Sequence, residues 1–196
     1  MNCSSVMNKT ALVILAHNFE EIEAVSPVTL LRRSGVTVTV ASCSQKLMVQ
    51  GKSGLSLEAN CLLDDIQIDA FDMLVLPGGP GIYKLRKMHR ILALIREFFE
   101  AGKWIGAICA APLLLQDANI LGSLNFTAHS SVSGELNTLI PDRDVVRDDN
   151  LITSSGAGTA VSFGLALIEA LVGSENTRTV ADSIHANYSP IRKDSN

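Results

Sequence analysis

The chain has 196 residues, of which 47% are hydrophobic and 18% charged. That profile suits one globular domain whose core needs no disulfide support, and it excludes a disordered chain. A net charge of −4 without a run of Lys or Arg leaves no footprint for nucleic acid, and no apolar run approaches a membrane span.

Residues 1–8 and 191–196 read as flexible tails around a single domain at 9–190. Ala11-Leu12-Val13-Ile14-Leu15-Ala16 is a continuous apolar run, the pattern of a strand buried on both faces. Asn18 followed by Glu21 resembles a capping box, and Ile22, Val25 and Leu31 recur at helical spacing up to Ser34-Gly35. Val36 to Ala41 supplies the next strand, so the unit is β-α-β with a right-handed crossover. Pro27 has no N–H for the carbonyl of Glu23, which predicts a bend or loosening of the helix. Glu20 and Glu21 read as solvated acids at a helix start. Glu23 differs: it lies beside the expected bend and near the C-terminal end of the first strand, the edge where open α/β sheets place their sites.

Residues 46–58 read as a hairpin around Gly51-Lys52-Ser53-Gly54, and 64–69 as a polar connector. Met73-Leu74-Val75-Leu76 is another buried strand and runs into Pro77-Gly78-Gly79-Pro80-Gly81. This glycine run matches no phosphate-binding motif, but it offers bare backbone to a ligand. Leu85, Met88, Leu92, Ile95 and Phe99 mark one helix face closed by Gly102, with His89 on the polar side. Leu124 to Ala128 reads as a short strand ending at His129, a candidate base, although a loop histidine without a role is the plainer account. Val145-Val146 and Leu151-Ile152-Thr153 predict a hairpin. A long apolar helix ending at Gly173 and an amphipathic one from Ser174 to Ile184 follow.

The stretch with most chemistry is Trp104-Ile105-Gly106-Ala107-Ile108-Cys109-Ala110-Ala111-Pro112, an apolar strand turning into a helix-compatible run. A nucleophile on such a turn needs small residues two positions before and two after it, here Ala107 and Ala111 around Cys109. The N–H groups of the following helix favour thiolate, which predicts a depressed thiol pKa. A buried cysteine used as a small hydrophobe accounts for the same residues, and the stretch alone leaves both readings open. The four cysteines, Cys3, Cys43, Cys61 and Cys109, show neither close pairing nor metal-ligand spacing. Met1-Asn2-Cys3-Ser4-Ser5 lacks the marks of a secretory leader, so they read as reduced thiols of a cytoplasmic protein with no metal.

Taken together, several stretches resemble the ThiJ/PfpI superfamily, in the branch of the Parkinson-disease-associated protein deglycase and the bacterial chaperone YajL. They are the first strand, Glu20-Glu21-Ile22-Glu23, Leu31-Arg32-Arg33-Ser34-Gly35, Val75-Leu76-Pro77-Gly78-Gly79, the cysteine elbow and Thr153-Ser154-Ser155-Gly156-Ala157-Gly158-Thr159. The resemblance implies a flavodoxin-like α/β sandwich and a homodimer. Its sheet would be mostly parallel, with helices on both faces and a small added hairpin. It also implies Cys109 as the reactive cysteine, Glu23 as its acid partner, His129 at the place of the site histidine, and an anion pocket formed by the N–H groups of Gly79 and Ala110. The implied activity is a glyoxalase or deglycase acting on α-oxoaldehydes such as methylglyoxal or their adducts, without metal, glutathione or cofactor. The alternatives are an oxidative-stress sensor or redox-regulated chaperone using the same thiol and, third, a cysteine protease or amidotransferase-like hydrolase. Two departures stand out: Ala157 replaces the common proline between Gly156 and Gly158, and Ser155 stands where human-type members carry arginine.

Overall fold

The structure, a computed structural model, describes residues 9–136 and 138–190; both tails expected from the sequence lie outside the described residues. In chain order the elements are β1 (Thr10–Leu15), α1 (Glu21–Arg33), β2 (Thr37–Ser42), β3 (Met48–Gln50), β4 (Ser56–Glu58), β5 (Cys61–Leu62) and β6 (Met73–Leu76). After these come α2 (Ile82–Leu85), α3 (His89–Glu100), β7 (Trp104–Ile108), α4 (Pro112–Asp117), β8 (Val145–Asp148), β9 (Leu151–Ser154), α5 (Ala160–Val172) and α6 (Ser174–Ser183). Among the described residues seven strands form one sheet in the order β5-β2-β1-β6-β7-β9-β8, while β3 and β4 make a separate two-stranded hairpin. Every pairing in the large sheet is parallel except that of β8 with β9.

The alternation of side chains along a strand explains the layers. Leu12 and Ile14 of β1 and Leu74 and Leu76 of β6 join one core with Ile91, Leu94 and Phe98 of α3. Their neighbours Val13, Leu15, Met73 and Val75 join the opposite core, with Leu31 of α1 and Phe163 and Leu167 of α5. Both faces of the central strands are therefore covered, which is why they read as unbroken apolar runs. The result is the flavodoxin-like α/β sandwich expected from the sequence. No helix among the described residues is long and apolar enough to cross a membrane.

Three local expectations are corrected. Residues 124–128 form no strand. Their backbone is held by side chains: Asn125 N–H donates to Asp148 Oδ2 at 2.8 Å and Thr127 N–H to Thr153 Oγ1 at 2.9 Å. The single helix expected across Leu85 to Phe99 is two, because Met88 is extended (φ −94°, ψ 101°) and starts α3 afresh. Its buried face is Ile91, Leu94, Ile95 and Phe98, one step round from the face expected. Asn18 does not cap α1. It takes a left-handed φ of 64°, and Glu20 is the residue before the helix.

α1 passes through Pro27 as one uninterrupted helix and lies against α5. Gly164 makes that approach possible, since a Cβ there would stand 2.6 Å from Leu30 Cδ1 and 3.4 Å from Pro27 Cα. Gly164→Val should therefore destabilise the fold by about 1–3 kcal/mol through overpacking. Chemical denaturation reads this directly; an unchanged midpoint would contradict the packing account.

Candidate active site

The strand order places three chain turns side by side. β1, β6 and β7 are adjacent and parallel, so the start of α1, the glycine run and the cysteine elbow all leave the same edge of the sheet. This is the edge where open α/β folds assemble their sites.

Cys109 follows β7 with φ of +65°. For an L-residue that conformation costs about 1–2 kcal/mol. Its N–H donates to the Ser154 carbonyl at 2.8 Å, and its own carbonyl accepts the His129 N–H at 2.9 Å. Ala107 and Ala111, the small positions of the elbow, are fully buried. The thiol is hydrogen-bonded to the Glu23 carboxyl group, and the N–H groups of Gly79 and Ala110 donate to the sulfur.

Glu23 is 1% exposed and its Oε2 accepts the Gly78 N–H at 3.0 Å. Burial raises its pKa to about 7, and the Glu20 carboxylate adds to the rise. Hydrogen bonds from Cys109 and Gly78 and the charge of Lys52 oppose it. The Cys109 thiol is pushed up to about 12, first by burial and then by the Glu23 carboxylate, against the pull of the two N–H donors. The expectation of a depressed thiol pKa is thus overturned. α4 has only six residues, and its N-terminus does not outweigh desolvation beside an acid.

Glu20 and Glu21 are corrected as well: both are buried, not solvated. Glu20 forms an ion pair with Lys52, in the turn between β3 and β4. Glu21 Oε1 accepts the Ser53 N–H at 2.8 Å and the Ser53 hydroxyl at 2.6 Å. Burial opposes its charge, yet these bonds hold the Glu21 carboxyl below its ordinary range. Nothing in the sequence pairs these acids with a turn some thirty residues away, so Lys52 and Ser53 are additions the structure makes to the site.

His129 is brought near through its backbone, and its ring is exposed and bonded to Ser131. Nδ1 accepts the Ser131 N–H at 3.2 Å and lies 2.9 Å from the Ser131 hydroxyl. The ring borders an open groove of about 820 Å³ that also includes Ser155, Gly156 and Ala157, so both departures from the family pattern sit on its wall. Ser155 is tied there through its N–H, which donates to the Asp144 carbonyl at 3.2 Å.

The burial of Glu23 has a thermodynamic consequence. Its folded pKa of about 7 lies above the ordinary value of 4.5, so its favourable contribution is complete below 4.5 and is lost as pH rises through about 7. The loss is about 3 kcal/mol. Glu23→Gln, which keeps the shape, should raise the melting temperature relative to the parent at pH 8 more than at pH 4. An equal offset at both pH values would show that Glu23 is not a strained buried carboxylate.

Comparison with known proteins matches the pattern of the DJ-1/PfpI family to residues 9–170. The Drosophila melanogaster protein dj-1beta is 36% identical over 186 residues, covering 93% of this chain and all of the relative. Its crystal structure superposes with a TM-score of 0.88 at 35% identity, over 93% of this chain and 100% of that one. The Caenorhabditis elegans protein named glutathione-independent glyoxalase DJR-1.2 is 34% identical over 176 residues, 88% of this chain and 94% of that one. The Arabidopsis thaliana DJ-1 homolog A is 37% identical over 84% of this chain, which spans 43% of that longer protein. A family match over most of the sequence, carried on a sheet that superposes this closely, admits one assignment: the chain belongs to the DJ-1/PfpI family.

Proposed function

We propose that the chain is a cysteine-dependent glyoxalase or deglycase, acting on α-oxoaldehydes such as methylglyoxal or their adducts without metal or glutathione. The observation that carries this reading is the hydrogen-bonded pair of Cys109 and buried Glu23, two groups that hold a proton between them. The name of the nematode relative points the same way.

The pair gives each step a proton donor or acceptor. In the ionised state Glu23 accepts the thiol proton as the sulfur attacks the aldehyde carbon, so the thiolate forms only as it reacts. The new C–S bond yields a hemithioacetal whose oxygen takes that proton back. Glu23, a carboxylate again, removes the hydrogen from the former aldehyde carbon to give an enediolate. Protonation at the neighbouring carbon leaves the thioester of a 2-hydroxy acid. Water then releases lactate and restores the thiol.

The same arrangement weighs against the alternatives. Peroxide oxidation draws on free thiolate, which burial and the Glu23 carboxylate disfavour, whereas in turnover Glu23 takes the thiol proton as the sulfur attacks. A hydrolase would need a free imidazole nitrogen at Cys109. Nδ1 of His129 is an acceptor for Ser131, which leaves Nε2 as the protonated nitrogen. Cys43, Cys61 and Cys109 are free thiols, which fits work in a reducing compartment such as the cytoplasm.

Lactate production from methylglyoxal without glutathione is the test. The intact protein should turn over, and Cys109→Ser should lose activity by about 100-fold or more, as should Glu23→Gln. The rate at low substrate should rise with pH through about 7, because the free enzyme needs ionised Glu23. Absence of lactate from the intact protein, or full activity in Cys109→Ser, would overturn the reading.

We also propose that a second copy of the chain covers the face made by Ile22 and Val25 of α1 with Met48 and Leu55 at the hairpin, four apolar side chains 39% to 64% exposed. The Glu21–Ser53 bonds keep the two parts of that face together. Sedimentation should show a dimer that Ile22→Glu with Met48→Glu converts to a folded monomer. A monomeric parent would remove this proposal and leave the chemistry standing.

A further inference from the structure

Lys52 belongs to an exposed turn, yet the turn is fastened to the site. The Lys52 N–H donates to the Phe19 carbonyl at 2.9 Å, and the Asn18 N–H to the Gln50 carbonyl at 2.8 Å. Ser53 adds two bonds to Glu21, at 2.8 and 2.6 Å. On its other side the 18–20 segment backs onto the glycine run: Glu20 N–H donates to the Gly78 carbonyl at 3.1 Å. A Cβ at Gly79 would lie 2.5 Å from the Glu20 nitrogen. The ammonium of Lys52, half exposed, pairs with the buried Glu20 carboxylate. The ion pair therefore belongs to the segment that is bonded to Gly78, the residue whose N–H holds Glu23 and which lies against Cys109.

We infer that Lys52 is a positioning residue for the reaction: paired with Glu20, it keeps the start of the helix that carries Glu23 near electrical neutrality and so sets the pH at which the Glu23–Cys109 pair releases its first proton. This rests on the reading of that pair given under the proposed function. The groups that face Glu23 are the Cys109 thiol from the elbow, Glu20 from the start of its own helix, the Gly78 N–H and Lys52 from the hairpin. Glu20 opposes ionisation of Glu23, and Lys52 favours it. Deleting the lysine charge removes the favourable influence and leaves the Glu20 carboxylate without its counter-ion, and both changes act in one direction. The ammonium in turn has its pKa raised, first by its bond to Glu20 and also by the charges of Glu20, Glu23 and Cys109, so it stays protonated across the range in question.

The readout is chemical modification of the thiol, which needs no substrate. A pair that carries two protons has no thiolate. A pair that carries one exchanges between thiol–carboxylate and thiolate–acid forms. Iodoacetamide alkylation of Cys109, located by mass spectrometry on the full chain, should therefore rise with pH around about 7 and then level off. In Lys52→Met the midpoint should move up by about one pH unit, which slows alkylation on the rising limb by about tenfold. Lys52→Arg should keep the parent midpoint. Lys52→Met combined with Glu20→Gln, which removes both charges, should return the midpoint towards the parent, a rescue that a merely structural role would not give. Lys52→Gln serves as a second neutral variant should Lys52→Met fold poorly.

A Lys52→Met profile that superposes on the parent overturns the inference, and so does a double variant that stays shifted. If the parent profile shows a rise that Glu23→Gln abolishes while Lys52→Met leaves it in place, the inference alone fails. If the parent shows no rise near 7, the reading of the Glu23–Cys109 pair fails and takes the inference with it.

Discussion

The site depends on one missing side chain. A Cβ at Gly78 would lie 2.6 Å from Glu23 Oε2, 2.7 Å from Cys109 Cβ and 2.8 Å from the Ile108 carbonyl oxygen, closer than real Cβ atoms approach anything. Acid and thiol meet because this position is empty. The same dipeptide supplies the donors: Gly78 N–H to the carboxyl group, Gly79 N–H to the sulfur. Gly79 can do this because its φ of +98° turns the backbone where a side chain would strain it. The parallel order β1-β6-β7 then puts this bare backbone between the other two turns. An antiparallel β6 would send the glycines to the opposite edge.

Such a site holds two unfavourable features at once, a left-handed cysteine and a buried carboxyl group. Neither persists in isolation. Cys109 is fixed on both sides of its peptide unit by Ser154 and His129, and the flanking Ala107 and Ala111 are packed without exposure. Relaxing the φ of Cys109 would break both bonds and disturb both cores, against each of which Cys109 packs, so the surroundings over-determine the strain. Glu23 has one hydrogen bond from the backbone and one with the thiol, too few to make its charge comfortable but enough to orient it. His129 thus contributes to the site through its peptide group, while its ring serves Ser131.

The fold was legible because buried parallel strands leave a plain trace. Ala11 to Leu15, Met73 to Leu76 and Trp104 to Ile108 are apolar at nearly every position, and each is a strand covered on both faces. The elbow and Glu23 were legible for a related reason: small residues and an acid fall at the C-terminal ends of such strands. What escaped depends on contacts that spacing does not encode. The apolar spacing runs on through Met88, so the break between α2 and α3 is invisible in it. Residues 124–128 have a strand's composition, but Asp148 and Thr153 side chains take the place of a ladder. Glu20 and Glu21 look like any acids at a helix start until Lys52 and Ser53 are folded over them.

The raised thiol pKa bears on how such a cysteine avoids waste. A thiolate exposed in a cell is consumed by any oxidant or electrophile it meets. Here burial and Glu23 keep the sulfur protonated, while the acceptor for its proton stands within hydrogen-bonding distance and is itself poised near 7. Transfer inside the pair conserves its net charge, so it requires no new charge to be buried and no exchange with solvent. In the proposed chemistry a carbonyl carbon that accepts the sulfur lone pair removes the thiolate as it appears. On the proposed reading, reactivity is then conditional on an electrophile that reaches the sulfur beside the glycine run. In that reading selectivity comes from coupling proton transfer to bond formation, with the acceptor for the proton already in place beside the sulfur.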